Sequence, residues 1–351
     1  MFEFKEIKSE AEYKPIELKL DVPFTQAWVF SEWQEMMGRK VRRFEISREG
    51  ENTGFFQIIK YPLLLSKSIL YIPHGPVLKI ANSSSDEFLK EFRKKLFEIG
   101  KEEDAIFVRF DFYFRNSDYG SVENFKRYFK KVPSYAYYSP YFQPKFEWIL
   151  NLEKSEEELL NNIHPKTRYG IRLAESRSVK VEVIKTNFQK HFPDFYDLMK
   201  KTAARNKFSL HPEIYYRNIF SNCEENKNAF LMIATYDSKT LAINLVLLYG
   251  ETAYFIFGAS SDEFKNLMAP HLLHWRAAIE IKKLGFKIYN FGAVGEEYEG
   301  VSRFKKRFGG ELLEHSDSYD LVLEPIWYHL YNLRKWVSNL PPAGDHPKGE
   351  K

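Results

Sequence analysis

Hydrophobic positions in this chain recur with two periods, and the changes between them outline its elements. From Trp28 to Gly38 the spacing predicts a short helix with Gly38 as its stop. Runs rich in β-branched and aromatic residues follow at Lys40–Ser47, Phe55–Leu65 and Ile69–Leu78, the last ended or bent at His74-Gly75-Pro76. Ser83-Ser84-Ser85-Asp86 reads as the cap of a helix on which Phe88, Leu89, Phe92, Leu96 and Phe97 share one face. Ala105–Phe112 reads as a buried strand. A second series starts near Glu147 with a strand at Trp148–Leu152. A helix then runs from Ser155 to Leu160, with Glu156, Glu157 and Glu158 at the favourable end of its dipole. His164-Pro165 reopens a helix, since proline fits a first turn. Helices Phe192–Arg205 and Pro212–Asn222, strands Ala229–Tyr236, Leu241–Tyr249 and Thr252–Phe257, helix Pro270–Leu284 and strand Lys287–Phe291 complete the series. A strand at Asp320–Leu323 and a helix from about Ile326 to Leu340 come last. Met1–Tyr13 is assigned no element.

The order helix, strands, helix, strand thus occurs twice. It predicts an α/β (α+β) chain of two similar domains, each a mixed sheet flanked by helices. The first takes residues 1–148 and 318–340 and the second 149–317, while the proline-rich tail 341–351 is expected to be disordered.

Composition narrows the classes. A length of 351 residues suits two domains, and a hydrophobic fraction of 44% excludes a disordered chain. Aromatic residues at 17% suit thick cores and a ring-lined substrate groove. The balance of 52 basic against 48 acidic residues leaves +4, too little for a cation-coated surface; DNA is not an expected partner, but local basic patches remain open. A single cysteine, Cys223, excludes an intrachain disulfide or Cys-rich metal site and reads as a partly buried helix residue. The N-terminal run lacks the apolar core of a signal peptide, and no apolar run reaches the ~20 residues of a membrane span. The expected setting is cytoplasmic, with at most peripheral contact with the inner face of the membrane.

Two stretches carry candidate chemistry. In Lys166-Thr167-Arg168-Tyr169-Gly170-Ile171-Arg172-Leu173-Ala174, Arg168 and Arg172 fall one helical turn apart, where two guanidiniums can grip neighbouring phosphate oxygens. Lys166 adds charge at the start, and Ile171 and Ala174 point inward. A solvated basic face is the competing reading. In Gly300–Gly310, Arg303, Lys305, Lys306 and Arg307 interleave with Phe304 and Phe308 ahead of two glycines. Rings that stack and cations that meet phosphate or a developing oxyanion suit nucleic-acid or acyl-transfer chemistry, against a plain solvated turn. Asp111 sits where a strand emerges, facing a cleft or serving a turn. His211, before Pro212, reads as a substrate contact or an N-cap. His271 and His274, three apart, lack the companions of a metal site. No nucleophile elbow or Walker loop occurs, so catalysis must rest on positioning and electrostatics.

Together these stretches resemble the FemABX family, which adds amino acids from aminoacyl-tRNA to the peptide of cell-wall precursors. The resemblance runs from about Phe24 to Tyr331. It is carried by the Trp33 helix, His74-Gly75-Pro76-Val77, Arg109-Phe110-Asp111, the Lys166–Ala174 run, Ala269-Pro270-His271-Leu272-Leu273-His274-Trp275, Ile288-Tyr289-Asn290-Phe291-Gly292 and Phe304-Lys305 through Phe308-Gly309-Gly310. It implies two domains related to GNAT acyltransferases, the first rejoined by the C-terminal strand and helix. With no long charged heptad stretch, the chain resembles the armless members, those without the helical-hairpin arm. The first domain would bind the acceptor precursor and the second the aminoacyl-tRNA.

By the same resemblance, Lys305 contacts the reacting centre and Phe304 helps hold the terminal adenosine of the tRNA. Asp111 and Tyr215 match residues near the acceptor. Compared with the best-described armless member of the family, Glu35 stands in place of a phosphate-binding lysine, with Arg39 one turn on as its substitute. His211 replaces an arginine, Ile106 a tyrosine and Phe257 another tyrosine, which favours a lipid-linked acceptor over a soluble nucleotide form. Lys166, Arg168, Arg172, Arg303, Lys306 and Arg307 form the expected tRNA and phosphate set. No cofactor or metal is implied, and a monomer is expected. The competing functions are a GNAT N-acyltransferase using acyl-CoA, although no Arg/Gln-x-x-Gly-x-Gly/Ala loop is found, a non-catalytic RNA-binding protein, and an aminoacyl transferase acting on a lipid or protein.

Overall fold

The computed structural model describes residues 1–20, 22–78, 86–112, 123–132, 143–206, 208–295 and 299–338. The chain divides into two compact units, 1–143 with 315–351, and 144–314. The first opens with strand β1 (Phe2–Ile7) and helices α1 (Glu10–Leu20) and α2 (Trp28–Met36). Strands β2 (Lys40–Arg48), β3 (Glu51–Pro62), β4 (Ser68–Ile72) and β5 (Val77–Leu78) follow, then α3 (Asp86–Glu102), β6 (Ala105–Asp111), α4 (Glu123–Tyr128) and β7 (Lys130–Lys131). The second unit runs β8 (Phe146–Asn151), α5 (Glu156–Asn162), α6 (Pro165–Ser176), β9 (Lys180–Ile184), α7 (Phe188–Asn206) and α8 (Glu213–Glu225). It continues through β10 (Ala229–Tyr236), β11 (Lys239–Tyr249), β12 (Thr252–Ser260), α9 (Ala269–Lys283), β13 (Ile288–Ala293), α10 (Glu299–Lys306) and β14 (Glu311–Glu314). Strand β15 (Ser318–Val322) and helix α11 (Pro325–Ser338) return to the first unit.

Each unit is a mixed sheet with helices on its faces. The first sheet is ordered β1-β2-β3-β4-β6-β15-β7 with β5 added to β3, and the second β14-β8-β13-β12-β11-β10-β9. Among the described residues each contains one parallel pair, β4 with β6 and β12 with β13, and each pair is joined through a helix, α3 or α9. A parallel pair needs such a crossover, and the crossover buries the apolar side of its helix on the sheet. On α3, Phe88, Leu89, Phe92 and Leu96 meet Phe44, Phe56, Phe110 and Tyr319. On the opposite face α11 lays Tyr328 on Ile69, Ile106 and Phe107. Arg109 on β6 meets Asp320 on β15 in a buried two-pronged ion pair, both hydrogen bonds 2.8 Å long, and the Tyr328 hydroxyl donates to the same carboxylate at 2.9 Å. That bridge ties the returning strand and helix to the sheet.

Several expectations need correction. The N-terminal run is structured as β1 and α1. The predicted Ile69–Leu78 strand is two strands separated at 73–76, because proline cannot continue a ladder. Phe97 is 38% exposed, under the ammonium of Lys101, instead of facing the core. Cys223 is fully buried, and burial pushes its thiol far up. The expected cap Ser83–Ser85 and the tail 341–351 lie outside the described residues. Most important, the basic stretch after Glu299 is a helix, not a turn; it ends because Gly309 and Gly310 take φ of 79° and 93°. A Cβ on Gly310 would stand 2.1 Å from the Ile149 carbonyl oxygen, so the β8–β14 pairing requires glycine there.

Candidate active site

Helix α10 divides the cluster found in the sequence between two faces. Phe304, Lys305 and Phe308 turn inward, and Ser302, Arg303, Lys306 and Arg307 line a cavity of about 750 Å³ with Phe146, His164 and Glu299 among its other walls. The start of α10 is pinned by Ser302, whose hydroxyl donates to the Gly295 carbonyl at 2.9 Å and accepts from the Gly295 N–H at 3.0 Å. Its far end meets α6, where the His164 N–H donates to the Arg307 carbonyl at 2.9 Å.

The inward face is aromatic and cationic at once. Phe304 lies edge-on to His271, His274 and Phe308, with ring centres 5.2, 5.5 and 5.2 Å apart. Lys305 is buried, and its Nζ donates to the Ala293 carbonyl at the end of β13 over 2.7 Å. Burial pushes its ammonium down to about 8, against the opposing attraction of Glu147. Glu147 accepts a 2.9 Å hydrogen bond from the Asn290 amide, whose oxygen accepts from the Gly292 N–H at 2.7 Å. Gly292 has φ of 76°. A Cβ there would meet the lysine Nζ at an ordinary contact distance of 3.8 Å, so it is the positive φ and not crowding that calls for glycine.

His274 is buried among these rings, and burial lowers it to about 3, with Lys305 adding to the effect. Its Nδ1 lies 2.9 Å from the Tyr289 hydroxyl and its Nε2 3.4 Å from the Asn244 amide nitrogen. It is a neutral strut, which is what its position on an apolar helix face permits. Glu147, Asn290, His274 and Tyr289 were not singled out as site residues by sequence reasoning. Asn290 and Tyr289 stand in the Ile288–Gly292 motif, whereas Glu147 left no signal beyond its place at a strand start.

The other expected residues fall in three places. His211, Tyr215 and Phe257 come together at the head of α8 and on β12: ring centres are 4.2 Å apart for His211–Tyr215 and 6.1 Å for Tyr215–Phe257. On α6, Lys166 and Arg172 are exposed. Arg168 instead donates from one guanidinium nitrogen to the Asn161 and Ile163 carbonyls at 2.7 and 2.5 Å, capping the last turn of α5. In the first unit Asp111 lies at the end of β6. It is buried, one carboxylate oxygen accepting from Tyr71 and the other from Ser318, its cross-strand partner. Burial raises its carboxyl above the ordinary range. Arg39 stacks 4.5 Å over Tyr61 and donates to Gln34 at 2.5 Å, and the Tyr61 ring centre is 6.5 Å from that of Tyr71. Arg39 and Asp111 thus mark two ends of one row of side chains.

Comparison with known proteins gives concordant likenesses. The model of the FemAB family matches residues 134–242 and 233–335. Lipid II:glycine glycyltransferase of Staphylococcus aureus is 23% identical over 378 aligned positions, covering 86% of this chain and 88% of that protein. The crystal structure of FemX superposes with a TM-score of 0.80 at 22% identity, over 93% of this chain and 100% of that one. A tandem GNAT protein from the clavulanic acid biosynthesis pathway gives 0.58 at 11% identity, over 92% and 98%. The fold is therefore that of two GNAT-like units.

Proposed function

The chain belongs to the FemAB family, and from that premise we propose that it is an aminoacyltransferase that moves an amino acid from aminoacyl-tRNA to a peptide amine of a peptidoglycan precursor, building the interpeptide bridge. The observation that carries this reading is Lys305: a buried cation held on the Ala293 carbonyl, beside Phe304 and next to a cation-lined cavity.

The donor is an ester on a ribose hydroxyl. The acceptor amine attacks its carbonyl carbon, the new C–N bond forms, and the carbonyl oxygen becomes an oxyanion. Lys305 stabilises that charge more than the neutral carbonyl, which is the condition for raising kcat. When the C–O bond breaks, the amine proton passes to the departing ribose oxygen, so no enzymic base is required. Phe304 offers an aromatic edge to the terminal adenosine, and Arg303, Lys306 and Arg307 meet acceptor-stem phosphates in the cavity. In the second unit His211, Tyr215 and Phe257 offer an aromatic surface, and in the first unit Arg39 offers a cation for the precursor's phosphates. Orientation of two large substrates supplies much of the remaining acceleration.

The test is transfer of a labelled amino acid from charged tRNA to lipid-linked and nucleotide-linked precursors. Wild type should transfer, and Lys305→Met should turn over about 10²–10³ times more slowly with a similar KM. Equal turnover would remove Lys305 from the chemistry. Acylation from acyl-CoA in place of charged tRNA would overturn the donor assignment.

A further inference from the structure

In the first unit, large apolar side chains are left uncovered in one neighbourhood. The β3–β4 turn exposes Leu64 and Leu65 to 74% and 76%, and α11 exposes Ile326, Leu330 and Leu333 to 76%, 51% and 55%. Spacings of four and three residues align the latter along one side of the helix. Trp327, Tyr328 and Tyr331 pack on the other side, against Ile69, Ile106 and Phe107. Turn and helix meet at one edge: Lys67 pairs with Glu324 at 2.7 Å, and Leu63 joins the cluster that holds Trp327.

Local chemistry gives no reason for leucine at the turn. Leu65 and Ser66 have φ of 58° and 59°, where glycine or asparagine is better suited, and an exposed leucine buries nothing there.

Charge narrows the choice of occupant. From Pro325 to Ser338 the helix contains no acid and carries Arg334 and Lys335. The exposed Lys130 holds its ammonium 4.9 Å from the Tyr328 ring. Glu324 is matched by Lys67, and Glu103 by Lys40 and Lys60; exposed Asp104 stands at the head of β6. A second copy related by a two-fold axis would set this cation-bordered face against itself. An anionic bilayer accepts both parts, with leucines among the acyl chains and cations on the phosphates. No helix among the described residues is long and apolar enough to cross a membrane, so contact through this face would be interfacial.

We propose that Leu64 and Leu65, with Ile326, Leu330 and Leu333, dock the first unit onto the surface of a bilayer containing anionic lipid. Tyr61 packs on the same cluster beneath α11 and lies under Arg39, so the cation assigned to the precursor's phosphates borders this face. Docking rests on the surface itself; its use in reaching a lipid-linked acceptor rests on the transfer reading.

Flotation of the full chain with vesicles of phosphatidylcholine alone, and of phosphatidylcholine with phosphatidylglycerol, tests it. Wild type should float with the anionic vesicles. Leu64→Gln with Leu65→Gln, and Leu330→Gln with Leu333→Gln, should each weaken partition about tenfold or more, while melting and transfer to a soluble precursor stay unchanged. Lys130→Gln with Arg334→Gln should abolish the preference for the anionic vesicles. A wild type that stays in solution with both vesicles, or leucine variants that float like it, would overturn the proposal. So would a dimer abolished by the same leucine variants without flotation, which would assign the face to self-association. Flotation without transfer would count against the transfer reading alone.

Discussion

Lys305 reaches back from α10 to the carbonyl of Ala293, 2.7 Å away, at the end of the strand that also carries Asn290 and Gly292. Burial pushes its ammonium down to about 8, and the attraction of Glu147 works against that to keep it protonated. Transfer that uses this cation should therefore decline as pH rises through about 8. Removing the anion in Glu147→Gln should move that decline to lower pH, because the charged lysine loses its support. The pH profile of kcat checks both statements, and an unshifted alkaline limb in the variant would detach Glu147 from Lys305.

The same burial has a cost in stability. A lysine at about 8 when folded and about 10.5 when unfolded is penalised in its charged form. The unfolded chain binds the extra proton between these values, so wild-type stability should rise with pH through this window, and the penalty is fully present below pH 8. It amounts to about 3 kcal/mol. Lys305→Met should accordingly be slow in transfer yet melt higher than wild type at pH 7, with the gap shrinking by pH 10. Thermal melts at the two pH values measure it. A variant that melts lower at pH 7 would show that the Ala293 hydrogen bond outweighs desolvation.

What the sequence made legible follows from which interactions are local. Helices such as α3 and α9, and the hydrophobic strands β6, β10 and β11, announce themselves by periodicity because each buries one face or both. Strand β9, polar at Lys180 and Glu182, and the short β14 do not, since their partners lie far along the chain. The stretch from Glu299 received no element from periodicity, because Gly300, Gly309 and Gly310 flank so short a run; only Gly309 and Gly310 stop the helix, while Gly300 sits inside it. At the candidate site, residue types and spacing pointed to the basic and aromatic cluster of 303–308, and only the family resemblance singled out Lys305 within it. Glu147 could not be found that way, because its relation to Lys305 exists only after β8 and β13 pair.

Arg168 and Arg172 share a helix but not a task. Arg168 satisfies carbonyls that the end of α5 leaves without intrahelical partners, whereas Arg172 is exposed. Arg168→Ala should lower stability by about 1 kcal/mol, and Arg172→Ala by less than about 0.5 kcal/mol. If Arg172 meets tRNA, its loss should weaken tRNA binding without changing the melt. Chemical denaturation beside a filter-binding assay separates the two, and equal stability losses would contradict the division of labour.

The cations that line the cavity differ in how available they are. Arg303 is paired one turn back with Glu299, whereas Lys306 has its ammonium 5.8 Å from the Trp148 ring and Arg307 shares the wall with His164. An arginine that must leave a carboxylate to meet a phosphate gains less than one already turned to the cavity. Each phosphate neutralised releases counterions and steepens the dependence of binding on salt by roughly 0.7–0.9 in a logarithmic plot. Lys306→Ala with Arg307→Ala should therefore reduce the slope for charged tRNA by about 1.5, and Arg303→Ala by clearly less than one phosphate's share. Titrations of a non-hydrolysable aminoacyl-tRNA analogue across a range of salt concentrations read both quantities. A slope unchanged by the double substitution would place the acceptor stem elsewhere on the second unit, and a larger loss from Arg303→Ala would show that binding breaks the Glu299 pair.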